Sequence, residues 1–184
     1  MPRTLLIVDV QNDYFDGGAM PLVGATEAAA AAAKVLASFR RAGDPVVHVQ
    51  HLWDDPEATF MRPGTSGVDI HDDVKPQTGE PVVTKAEPNA FFGTRLGELL
   101  GELDTRELVV LGMMTSMCVD STVRAAAELG FDVTLVHDAC AAPDLTFDGQ
   151  TVPGAAVHAA FVAALGDGFA TVRPSSAVAA SGAR

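Results

Sequence analysis

LVVLGMMTSMCVDSTVRAAAELG, Leu108–Gly130, reads without interruption as a strand, a turn and a helix. The aliphatic run Leu108 to Leu111 is a strand covered on both faces, because it is continuous rather than alternating. Val119 to Leu129 is helix-like, and Gly130 stands where a left-handed C-cap residue belongs. In the turn between them sits Cys118. A thiol at the first turn of a helix faces unpaired N–H groups and the positive end of the helix dipole, and both favour the thiolate. Such placement can lower a cysteine from about 8.5 to between roughly 3.5 and 7.5. Most free cysteines, however, are small buried hydrophobes. Position alone leaves both readings open.

Working outward, runs of the same kind recur at Leu5 to Val10, Pro45 to Val49, Pro81 to Thr84, Val133 to Val136 and Phe169 to Val172. Helix-like segments separate them: Glu27 to Arg41, Thr94 to Leu103, Val119 to Leu129 and Pro153 to Leu165, with Gly43, Gly130 and Gly166 as C-caps. Strands alternating with helices imply right-handed crossovers and a parallel sheet. The fold class is therefore α/β, a three-layer α/β/α sandwich on a six-stranded parallel sheet with expected strand order 3-2-1-4-5-6. The alanine run Ala28 to Ala33 reads as a helix packed closely on that sheet.

Bulk properties narrow the function. With 184 residues and 48% hydrophobic content, the chain supports one core and one domain; PSSAVAASGAR, from about residue 175, reads as a loose tail. A formal charge of -12 repels phosphate backbones and anionic lipid, which argues against nucleic-acid and membrane partners. Two cysteines, Cys118 and Cys140, make no disulfide framework and fit a reducing cytoplasm. The opening MPRTLLIVDVQ is too short in its apolar part for a signal segment and is broken by Asp9. The first strand runs into DVQNDYFDGG rather than a glycine-rich phosphate cradle, so no dinucleotide cofactor is expected.

In an open parallel sheet, ligands collect at the carboxyl ends of the strands. Asp9 lies near the end of the first strand, Lys85 follows the third and Cys118 follows the fourth. Asp9, embedded in LLIVDVQ, needs a partner to offset desolvation, or else caps a loop through Asn12 or Tyr14. Lys85 alone would read as a solvated surface lysine. The stretch His51 to Gln77, with several Pro and Gly and the lone Trp53, is long enough to be a lid or pocket wall. Phe15, Trp53, Phe91 and Met117 are candidates to line a flat apolar pocket, though core packing explains each nearly as well. Asp138 reads as the cap of the loop after the fifth strand, Cys140 as packing, and His158 as a satisfied core or interface histidine.

DVQNDYF at Asp9 to Phe15, VVTKAEPNAFFGTRL at Val82 to Leu96 and GMMTSMCVDST at Gly112 to Thr122, in that order, resemble the signatures of the isochorismatase-like cysteine hydrolases, a superfamily that includes nicotinamidases and related amidases. The likeness spans nearly the whole chain. It implies that Asp9, Lys85 and Cys118 form a catalytic triad. It implies also a cis peptide at Met113-Met114 that turns the Met114 N–H toward that of Cys118 as an oxyanion hole. Expected activity is then hydrolysis of a C–N bond in a small amide, lactam, carbamoyl or ureido compound through a thioester, by a chain that forms homodimers or larger assemblies.

Nicotinamidases place an Asp-x-His pair after the second strand to hold a divalent ion; HVQHLWDDPEATF lacks that pair. No metal is expected, although His51, Asp54 and His71 could meet in space. The alternatives are an isochorismatase-type vinyl-ether hydrolase, which needs no thiol, and a non-catalytic binding or redox module on the same fold.

Overall fold

The computed structural model describes residues 2–181. Strands β1 (Arg3–Val8), β2 (Val46–His51), β3 (Val82–Lys85), β4 (Glu107–Met113), β5 (Asp132–Ala141) and β8 (Thr171–Arg173) form one parallel sheet in the order β3-β2-β1-β4-β5-β8. Counting only these six strands, this is the expected 3-2-1-4-5-6 arrangement. Successive residues of β1 serve opposite cores: Leu5 and Ile7 pack under α1 (Ala25–Ala42), while Leu6 and Val8 pack with α2 (Leu96–Glu102) and α3 (Asp120–Glu128). That double coverage is why the strands read as unbroken apolar runs. The alanines of α1 do lie on the sheet, with Ala28, Ala29 and Ala32 fully buried.

Five details depart from expectation. A short antiparallel hairpin, β6 (Leu145–Phe147) with β7 (Gln150–Val152), follows β5. Its turn is Asp148-Gly149, both with positive φ (49° and 72°), the twist-matched turn for a two-residue hairpin loop. Helix α4 (Gly154–Gly168) continues through Gly166 instead of ending there. Residues 175–181 are not a loose tail but helix α5 (Ser175–Ser181), packed on α1 and β5. Asp138 holds its start, accepting hydrogen bonds from the Ser175 N–H at 2.6 Å and hydroxyl at 2.8 Å, so it does not cap the loop after β5. The part of the tail beyond Ser181 lies outside the described residues. Finally, Cys118 sits in a π-helical turn, Thr115–Val119, that precedes α3.

β1 and β4 approach closely at the point where the strand order reverses. Gly112, at φ 133°, faces the Val8 carbonyl so tightly that any Cβ would collide with it. Just beyond, the β4–β5 register slips: Val110 pairs with Leu135, but Gly112 pairs with Cys140. The extra β5 residues splay the sheet at its carboxyl edge, as bulges beside binding sites do.

Candidate active site

Four side chains meet at that edge, one from each of four neighbouring strands. Asp9 follows β1 in a left-handed conformation, φ 50°, which for a residue other than glycine costs about 1–3 kcal/mol and is typical of functional positions. His51 and Lys85 are the last residues of β2 and β3, and Cys118 lies in the turn after β4. The Lys85 ammonium is the hub: its Nζ is 2.7 Å from Asp9 Oδ2, 2.7 Å from His51 Nδ1 and 3.2 Å from Cys118 Sγ. Both side chains of the Asp9–Lys85 pair are wholly buried. Asp9 therefore has the partner its burial demands and does not serve as a loop cap.

Burial sets the protonation states. It pushes the Asp9 carboxyl up from the ordinary carboxylate range, with the Lys85 charge pulling the other way. The Cys118 thiol is pushed up by burial and by the neighbouring Asp9 charge, again partly offset by Lys85. That direction is opposite to the one a helix terminus favours. His51 is lowered to about 4 by burial and by the Lys85 charge, so its ring is neutral at pH 7.

Above the sulfur opens a cavity of about 530 Å³ whose walls include Tyr14, Trp53, Phe60, Met117 and Leu145, with Cys118 in its lining. Of the four candidate lining residues, Trp53 and Met117 border the cavity. Phe15 and Phe91 do not: Phe15 is buried and stacks on His71 at 3.8 Å between ring centroids, and Phe91 stacks on Phe131. Phe60 replaces them, packing edge-on to Trp53 at 5.2 Å. The His51 to Gln77 segment is a wall. DVQNDYF fastens it: Gln11 binds the backbone of His51 and Val68, Asn12 binds Ser66 O, and Asp13 accepts from Met61 N–H at 2.6 Å.

The peptide Met113-Met114 is cis. His51, Asp54 and His71 do not gather: the His71 ring is occupied by Phe15 and by the Asp73 N–H, and among the described residues only Asp9, His51 and Cys118 bring metal-binding atoms together, within 4.8 Å. Lys85 Nζ already touches all three, so an ammonium stands where a metal ion would. The residues present do not fit a resident metal.

Residues 3–151 match the Isochorismatase domain. The chain belongs to the isochorismatase family. It is 47% identical to the isochorismatase family protein YddQ of Bacillus subtilis over 96% of this chain and 98% of that one. It is 39% identical to streptothricin hydrolase of Streptomyces noursei, over 96% of this chain but 64% of that longer enzyme. Among solved structures, an isochorismatase hydrolase from Oleispira antarctica superposes with a TM-score of 0.94 at 47% identity, covering 97% and 96% of the two chains. N-carbamoylsarcosine amidase from Thermoplasma acidophilum gives 0.79 at 27% identity, covering 95% and 97%.

On this isochorismatase-family frame the chain is an enzyme, a hydrolase. Sequence reasoning reached Asp9, Lys85 and Cys118 because each ends or follows an apolar run. It treated His51 only as a metal candidate, since nothing local in HVQHLWDDP shows that Lys85 will lie beside its ring. Leu145 was missed with its hairpin, although the Asp148-Gly149 turn was there to be read. No helix among the described residues is long and apolar enough to cross a membrane.

Proposed function

We propose that this chain hydrolyses a C–N bond of a small amide, lactam, carbamoyl or ureido compound through a thioester on Cys118. One observation carries the reading: a buried thiol on a cavity wall shares a single ammonium with a buried carboxylate. The names of two relatives, streptothricin hydrolase and N-carbamoylsarcosine amidase, support the C–N bond class.

The steps follow from the groups available. As Sγ attacks the carbonyl carbon, its proton passes to Asp9, whose raised pKa makes it a competent base and then a competent acid. The oxygen, now an anion, accepts hydrogen bonds from the Met114 and Cys118 amides. Collapse breaks the C–N bond, and Asp9 returns the proton to the departing nitrogen. Water then gives a proton to Asp9 and its oxygen to the thioester carbon, releasing the acid and restoring the thiol. Lys85 keeps Asp9 and the forming thiolate adjacent and is not consumed. The partner is a small molecule; no cofactor enters any step.

The test is ammonia or amine release from a panel of amides, ureides and lactams. Wild type is expected to turn over at least one member and Cys118→Ala to lose about 10³-fold or more. A fully active Cys118→Ala protein on isochorismate would instead establish the vinyl-ether reaction.

A further inference from the structure

His51 is held from two sides. Its backbone N–H donates to Gln11 Oε1 at 2.8 Å and its carbonyl accepts from Gln11 Nε2 at 2.9 Å, and Gln11 is wholly buried. Its ring meets Lys85 at Nδ1. An ammonium has three donors and no lone pair, so the bond can run only from Nζ to Nδ1, and Nδ1 must be the unprotonated nitrogen. In the neutral ring the proton then sits on Nε2. Nε2 has no protein partner among the described residues, and the ring lines the cavity. The remaining lining is largely apolar, with no Arg or Lys and one carboxylate, Glu87.

We propose that His51 is a substrate-binding residue whose tautomer is fixed by Lys85: its Nε2–H donates to an uncharged oxygen of the substrate. The ligand class that follows is a neutral amide or ureide bearing an acceptor oxygen near the reacting carbon, not a carboxylate, for which the cavity offers no free cation. This deepens the hydrolase reading by naming its substrate class, and rests on that reading for the reaction only. Burial and the Lys85 charge, which hold the ring neutral, are consistent with it.

Two readouts test it without turnover. Histidine-selective ¹⁵N NMR of the intact chain is expected to show His51 with Nδ1 bare and Nε2 protonated, unchanged from pH 5.5 to pH 8; an Nδ1–H tautomer, or titration in that range, overturns the proposal. Alkylation of Cys118 by iodoacetamide, a neutral amide, is the second, followed by mass spectrometry of the Cys118 peptide. His51→Gln, which can put an amide N–H near the Nε2 position, should stay within about threefold of wild type. His51→Asn, which keeps an acceptor for Lys85 but offers no donor at Nε2, should slow about tenfold, the loss of one hydrogen bond. A normal rate in His51→Asn with a slow His51→Gln would mean that the ring acts only through Lys85, and the proposal fails. Correct tautomer and alkylation pattern in a chain that hydrolyses no amide would sink the reaction and leave the role of His51 standing.

Discussion

Two clusters in this molecule bring together a carboxylate, a cation and a histidine, and they are tuned in opposite directions. At the flank of α1, Glu80 accepts from Arg40 Nε at 2.7 Å and from a second Arg40 nitrogen at 2.8 Å, from the Gln77 N–H at 2.9 Å, and pairs with His48 at 3.0 Å. Chiefly through the Arg40 hydrogen bonds, its carboxyl is held down at about 2. At the carboxyl edge of the sheet, Asp9 meets only Lys85 and the Cys118 thiol among the described residues, no backbone N–H reaches it, and burial lifts its carboxyl. A carboxylate held by four hydrogen-bonding contacts ties α1 to the β3 approach and can do little else. One that is buried and under-coordinated keeps a proton within reach, which is what proton transfer needs.

The sharpest way to break this contrast is to neutralise each carboxylate. Asp9→Asn should cost about 10³-fold in kcat on whichever amide the wild type accepts, because the proton carrier is gone while the shape remains. Glu80→Gln should leave kcat within about twofold. If the two variants lose activity equally, the distinction is wrong.

Stability should report the converse. The Glu80 carboxyl, ordinarily at 4.5, is held at about 2 in the fold, so its contribution is fully present above pH 4.5 and disappears as pH falls from there toward 2. With solvent screening allowed for, that contribution is about 2 kcal/mol. Glu80→Gln should therefore lower unfolding free energy by about that amount at pH 7, measured by denaturant titration, and should flatten the acid limb of the wild-type profile. An unchanged acid limb would show the cluster to be ornamental.

The smallest effect separates the two thiols. Cys140 is buried as deeply as Cys118 and pushed up to about 12 by that burial, but its sulfur meets only backbone, the Val136 carbonyl and the Gly112 N–H, among the described residues. Cys140→Ala should keep full turnover and lose about 1 kcal/mol of stability, the ordinary cost of trimming a core side chain.

Legibility in the sequence followed the same division. The strands and the three ionisable residues beside them were readable because β1, β3 and β4 are apolar runs whose ends can be located to within two residues. Roles that depend on long-range company were not: Gln11 reads as a loop residue until it is seen clamping His51, and Phe15 reads as a pocket aromatic until His71 is found stacked on it. The environment of Cys118 was hidden for a related reason. A helix start is visible in the letters, whereas the burial that pushes the thiol up exists only once both layers close over the sheet. Helix α5 escaped because SSAVAAS has no charge or cap to mark it, and packing on α1 through Val178 determines it.

The covalent intermediate is the central claim, and hydroxylamine trapping during turnover tests it most directly. With a substrate found in the amide panel, a thioester on Cys118 should divert its acyl group to the hydroxamate, and the Cys118→Ala protein should form none. Full consumption of that substrate by wild type without any hydroxamate, or hydroxamate formed equally well by Cys118→Ala, would contradict the account.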